Sequence, residues 1–233
     1  MEGQTMIKVD NYAGLYQNPS FAFAKNAINV LIGPNGTGKT HLLLAMKKQF
    51  EEDDTLFVSY SNFYDGRDVG MQRFLCEGKL NALASATFKS EGQQIMRIFG
   101  EGFLSRLRKV LDAESESARP RDTLWILIDS MDSGLDIPNI KEVIRLFELI
   151  LKVETSRSPF LKDIYIVLAA NSYEFVRGRT VIDVLTGRSM QFGSYEEYSE
   201  HITGTANLVE DRDERNSQES SGRSNSRFAH RKS

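Results

Sequence analysis

A run near the amino end, Gly33-Pro34-Asn35-Gly36-Thr37-Gly38-Lys39-Thr40, has the spacing G-x-x-x-x-G-K-[ST]. Glycines at these positions let the backbone curl until successive N–H groups point inward, an arrangement that receives anionic oxygens. Lys39 brings an ammonium to the β- and γ-phosphates of a nucleotide. Thr40 brings a hydroxyl of the kind that ligates Mg²⁺. A helix starting near Lys39, with His41 in its first turn, adds the positive end of its dipole to the same spot. A site of this kind needs a carboxylate near the metal, usually at the end of a neighbouring buried strand. Asp129 directly follows the apolar run Leu124–Ile128 (LWILI), which puts it at the carboxyl edge of a sheet. The expected metal ligands are therefore Thr40 and Asp129.

The elements that must hold these residues are legible around them. Ala27–Ile32 (AINVLI) is an apolar run leading into the glycines, and Thr40–Phe50 carries Leu42, Leu43, Leu44, Met46 and Phe50 at helical intervals, so the order is strand, loop, helix. Met6–Tyr12 and Thr55–Tyr60 read as strands, and Gly70–Ala84 and Gly92–Leu111 as helices. The continuous apolar runs LWILI and IYIVLAA (within Asp163–Ala170) fit strands buried on both faces. Ile140–Val153 is amphipathic, with Ile140, Val143, Ile144, Phe147, Ile150 and Leu151 on one side. Val181–Phe192 predicts a hairpin turning at Thr186-Gly187, and Tyr195–Ile202 a short terminal helix. Strands alternating with helices predict an α/β fold with a mostly parallel sheet flanked by helices, and the glycine motif between strand and helix makes a P-loop NTPase arrangement the expectation. One domain is expected over residues 1–206. From 207 to 233 the chain is polar, rich in Ser, Arg, Asn, Asp and Glu, and is expected to be disordered.

Ile126–Asp136 reads ILIDSMDSGLD, and this resembles the Walker B strand and D-loop of ATP-binding cassette (ABC) ATPases. Ser133-Gly134-Leu135-Asp136 matches the D-loop, and the Gly-Pro-Asn-Gly-x-Gly-Lys-Thr form of the first motif is similar to the family's Walker A. Ser90-Glu91-Gly92-Gln93-Gln94 resembles the family signature Ser-x-Gly-Gln and lies upstream of Walker B, in the family's order. The resemblance covers about Met6 to Phe192 and is closest to the compact soluble ATPases of the family. It implies ATP and Mg²⁺ as ligands, bound by Gly33, Pro34, Asn35, Gly36, Thr37, Gly38, Lys39, Thr40 and His41. It also implies an ATP-dependent homodimer in which Ser90, Gly92 and Gln93 of one copy meet the γ-phosphate held by the other.

The chain departs from the family pattern where water is activated. The family's catalytic glutamate follows the Walker B aspartate; here that position is Ser130, which is no carboxylate base. The position of the family's switch histidine is Asn171, which can hydrogen-bond but cannot take up a proton at neutral pH. Asp132 and Glu174 are nearby acids that could substitute. Asn62 or Gln72 stands where the family has its Q-loop glutamine, a turn role for Asn62 being the competing reading. Tyr12 and Tyr16 are candidates for stacking the adenine, against a core role for either. The interval from Lys39 to Ser90 is shorter than in transporter subunits and holds no coiled coil of the chromosome-maintenance type.

Size and composition narrow the function. The 233 residues are 40% hydrophobic with a formal net charge of −3, which gives no global attraction to nucleic acid or an anionic membrane. Cys76 stands alone, so no intrachain disulfide is expected, and no apolar run reaches membrane-spanning length. A cytoplasmic protein without a membrane segment is expected. Arg106, Arg108 and Lys109 fit a solvated helix face better than a DNA site. Three readings follow: a slowly hydrolysing ATPase gated as a dimer, with an effector protein or DNA as further partner by analogy with repair and defence relatives; an ATP-binding switch that does not hydrolyse; and a transporter's nucleotide-binding subunit.

Overall fold

The computed structural model describes residues 3–11, 14–62 and 91–210, with the backbone alone along 91–98 and at Thr155. The helix expected at Gly70–Ala84, Tyr12, Gln72, Cys76, Ser90 and the tail from 211 lie outside the described residues. The chain order is β1 (Gln4–Lys8), β2 (Ser20–Ala24), β3 (Ala27–Ile32), α1 (Lys39–Glu52), β4 (Phe57–Ser61), α2 (Glu91–Ser115), β5 (Thr123–Asp129), α3 (Ile137–Arg157), β6 (Asp163–Ala169), α4 (Tyr173–Val176), β7 (Val181–Asp183), β8 (Ser189–Met190) and α5 (residues 195–210).

Six strands form one sheet in the order β4-β5-β6-β3-β7-β8, parallel except for the antiparallel β7–β8 hairpin. This is an α/β fold with a mostly parallel sheet, as the alternation of apolar runs with amphipathic helices predicts. The central strands are buried on both faces, and their period of two divides the core accordingly. Val30, Ile32, Ile126, Ile128, Ile166 and Leu168 face α2 and α3, where Phe99 and Phe103 stack at 4.9 Å and Phe147 meets both edge-on. Leu31, Trp125, Leu127, Tyr165 and Val167 face α1 and the β1–β2 hairpin. Trp125 stacks on Tyr165 at 4.1 Å and packs against Phe50 of α1 and Phe23 of β2.

The sequence reading differs from the structure at both ends. The first strand lies at Gln4–Lys8 rather than Met6–Tyr12, and it pairs antiparallel with β2, to which the sequence reading assigns no strand. SFAFA alternates large and small side chains, and its Phe21 and Phe23 are completely buried beneath the main sheet. Asn29 ties this hairpin to β3, accepting from the Ala24 N–H at 2.7 Å and donating to its carbonyl at 2.9 Å. At the other end α5 runs to residue 210, past the expected short helix and past the change of composition at 206. Thr205 and Val209, on either side of that change, are buried.

Candidate functional site

β3 ends at Ile32 and the backbone turns through Gly33 at φ 144°, Gly36 at 86° and Gly38 at 94° before α1 begins at Lys39. These angles favour glycine, and at two positions a side chain would also be crowded. A Cβ at Gly33 would stand 2.7 Å from the Thr37 Oγ1, and one at Gly38 would stand 3.1 Å from the Tyr16 ring. Thr37 is fully buried and donates its hydroxyl to the Pro34 carbonyl at 2.8 Å, which closes the loop from inside. Tyr16 is 3% exposed and donates its hydroxyl to the Gly38 carbonyl at 3.0 Å, while Phe21 meets its ring edge-on. Its ring is committed to the core and to bracing the loop, so it offers no face for an adenine. Burial pushes its hydroxyl up to about 12, which keeps it a donor at any working pH.

Lys39 folds back over this loop. Its Nζ donates to the carbonyls of Gly33 and Pro34, the latter at 3.1 Å. Burial lowers its pKa to about 8, against the opposing pull of Asp132 and Asp129. A desolvated ammonium capped by backbone carbonyls is a cation short of anionic partners.

Strand order decides where Asp129 stands. β5 is not next to β3: β6 lies between them. The carboxylate nevertheless reaches the start of α1, because Asp129 closes the last position of β5 and α1 leans back across the sheet. The Thr40 hydroxyl donates to Asp129 at 3.1 Å to Oδ1 and 3.2 Å to Oδ2, across 89 residues of sequence. Asp129 is 8% exposed. A hydroxyl beside one buried carboxylate offers two oxygen donors of the kind a hard divalent cation takes. Among the described residues no cluster of three or more His, Cys, Asp or Glu forms a self-contained metal site.

The residues beyond Asp129 are arranged differently. Ser130 takes a left-handed φ of 55° and donates its hydroxyl to Asp129 Oδ1 at 3.2 Å. Asp132 turns away from solvent-borne chemistry: one oxygen, Oδ2, accepts the backbone N–H groups of Asn171 and Ser172, each at 2.6 Å. The Asn171 carbonyl in turn accepts from the Tyr198 hydroxyl at 2.6 Å. Asn62 donates to the Ser133 carbonyl at 2.8 Å, so it braces the turn after β5. Asp136 caps α3, accepting from the Asn139 N–H at 2.9 Å. Arg106 donates to the Ser59 carbonyl at 3.1 Å, which places part of the basic cluster in the fold rather than on a free face.

A cleft of about 860 Å³ opens beside the loop, between Pro34 and Asn35 on one wall, Asn171 and Glu174 on another, and Tyr195 and Ser199 of α5 on a third. A smaller cavity of about 260 Å³ reaches Thr40 and Asp129 from the β4 side, past Ser61 and Arg106. The structure thus brings Gly33–Thr40, Asp129, Ser130 and Asn171 to one edge of the sheet. His41 follows in the first turn of α1. Gly92 and Gln93 lie in the first turn of α2, described there as backbone, with Ser90 outside the described residues. The sequence reading missed α5 as a wall of the cleft and Asp132 as the anchor of the 171–172 turn. The first had a signal in the helical spacing of Tyr198, Ile202, Thr205 and Val209. No protein-family model matches the chain, and no curated protein matches it either. Among the described residues no helix is long and apolar enough to cross a membrane.

Proposed function

We propose that this chain binds ATP together with Mg²⁺ on the loop Gly33–Thr40, as a P-loop NTPase of the ABC type. The observation that carries the reading is the meeting of Thr40 with the buried Asp129 beside a desolvated Lys39. The loop amides and the α1 dipole receive the phosphates. Lys39 exchanges its carbonyl partners for phosphate oxygens, and Thr40 and Asp129 hold the metal, whose chemistry is to neutralise charge on the β- and γ-oxygens. A second copy completes the site through its residues 90–94, giving a homodimer gated by ATP, and turnover is slow.

The non-hydrolysing switch is favoured by one observation. Ser130 is no base, and Asp132, one of the two acids that could replace it, already accepts two N–H bonds through one oxygen. Single-turnover hydrolysis by the purified chain, with Lys39→Ala as control, tests both readings. Phosphate released by the wild type and lost in the variant supports the ATPase. Tight ATP binding with no phosphate over hours leaves the switch. Failure of the wild type to bind ATP and Mg²⁺ overturns both.

A further inference from the structure

Two places at the sheet edge invite a cation, and they differ in what surrounds them. At the first, Thr40 and Asp129 set a hydroxyl beside a carboxylate. The second is the cleft of about 860 Å³, where Glu174 stands on one wall. The turn that carries Glu174 is fixed from beneath. Asp132 Oδ2 holds the 171–172 amides, Ser172 Oγ accepts the Glu174 N–H at 3.4 Å, and Phe175 and Val176 are buried. Among the described residues the Glu174 carboxylate itself has no hydrogen bond or ion pair. The described lining of the cleft holds no Lys, Arg or His. It does hold exposed apolar surface: Ile137 is 52% and Tyr195 58% exposed, and Tyr173 meets the Tyr195 ring edge-on at 5.6 Å.

The loop wall of the same cleft is Pro34 and Asn35, and the Lys39 Nζ lies on the carbonyls of Gly33 and Pro34. The lysine of such a loop reaches the β- and γ-phosphates, so a bound nucleotide sets its terminal phosphate on this side. The loaded cleft then lies between a phosphate and a carboxylate. We propose that it is a second ligand site, which takes an organic cation of the guanidinium class once the nucleotide is in place. This rests on the ATP binding proposed above and not on the dimer. A hard divalent ion is the wrong occupant, because it takes about six oxygens and the wall supplies one carboxylate among aromatic and aliphatic side chains. A guanidinium is planar and weakly hydrated. It takes a carboxylate through two parallel N–H bonds and rests its face on an aromatic ring. Asn35 and Asn171 stand in the same cleft with amide oxygens for its remaining N–H groups.

Calorimetric titration of the full chain with butylguanidinium, against its uncharged isostere butylurea, is the test, with and without saturating ATP and Mg²⁺. ATP binding is measured on the same samples. Butylguanidinium is expected to bind the loaded chain about tenfold more tightly than the nucleotide-free chain, and butylurea to bind neither. Glu174→Gln, which keeps the side chain's shape, is expected to weaken butylguanidinium at least about tenfold and to leave ATP affinity unchanged. Equal binding of butylurea, no binding of butylguanidinium to the loaded chain, or an unaltered affinity in the variant overturns the site and leaves ATP binding standing. Equal affinity with and without nucleotide overturns its link to the phosphates. If the wild type does not bind ATP, the nucleotide reading falls and takes that link with it. N-acetylarginine amide separates the sources of the cation. Binding as tight as that of butylguanidinium supports the site as one for an arginine side chain of a protein partner, and weaker binding supports it as one for a free guanidinium compound.

Discussion

The two halves of the sheet's carboxyl edge are built from different kinds of group. On the β3 side the working atoms are backbone: curled amides after Ile32, held by Thr37 and Tyr16, with Lys39 and Thr40 fixed at the start of α1. On the β5–β6 side they are side chains, and two of them are already engaged within the protein. Ser130 bonds Asp129 and Asp132 bonds the 171–172 backbone, while the Asn171 backbone carbonyl accepts from Tyr198. In the first half only Lys39 must change partners, leaving the Gly33 and Pro34 carbonyls, for an anion to be received as proposed. The second ties loops together, with Glu174 left beside Asn171 on the wall of the cleft. On the proposed reading, binding and turnover are separable, and substitutions can pull them apart.

The largest expected effect is on the binding half. Lys39→Ala should weaken ATP by a hundredfold or more, since charge-assisted hydrogen bonds are worth about 1.5–3 kcal/mol each. Isothermal calorimetry reads it, and near-normal affinity would break the comparison at its first term. Next is Ser130→Glu, which returns a carboxylate to the turnover half. General-base help is typically worth about 10²–10⁴-fold. The left-handed backbone at Ser130 costs roughly 1–2 kcal/mol for a longer side chain, so a gain of about tenfold to a hundredfold in single-turnover rate is expected. No gain would show that the missing base does not limit turnover.

Asp132→Ala strands two backbone N–H groups and should lower stability by about 2–3 kcal/mol in urea unfolding. ATP affinity should move less than threefold, because Thr37 and Tyr16 hold the loop and Asp132 acts on Lys39 only through its charge. A large loss of affinity would show the halves to be coupled.

The binding half also makes a pH prediction. The Lys39 pKa of about 8 rises when phosphates replace its carbonyl partners, so binding takes up a proton above that pH. Affinity should be flat from pH 6.5 to about 7.5, then fall several-fold as pH rises through 8 towards 9. Lys39→Arg should abolish that slope. Smallest is Tyr16→Phe, which removes one hydroxyl brace beneath Gly38 and should cost about 1 kcal/mol.

Local patterns carried much of this into the sequence. AINVLI, the glycines and the leucines of α1 adjoin in the chain, so strand, loop and helix are readable there from neighbours alone. Asp129 is readable because it ends an apolar run. Strand order was not: placing β6 between β3 and β5 depends on contacts more than a hundred residues apart. Neither was the fate of Asp132, whose partners lie 39 and 40 residues downstream as featureless backbone amides. β2 escaped because two phenylalanines among small residues make a short signal. The reach of α5 escaped because Thr205 and Val209 stand among polar neighbours, so average composition hides the residues that are buried.

Trp125 is the only tryptophan in the chain, and its ring lies 3% exposed between Tyr165, Phe50 and Phe23. Its emission therefore carries a single, unmixed signal from the plane where α1 sits on the sheet. It should emit at short wavelength in the native protein and shift red in one step as α1 lifts away. The protein brings its own optical probe to the helix that begins at Lys39, so unfolding of that layer can be followed without a label.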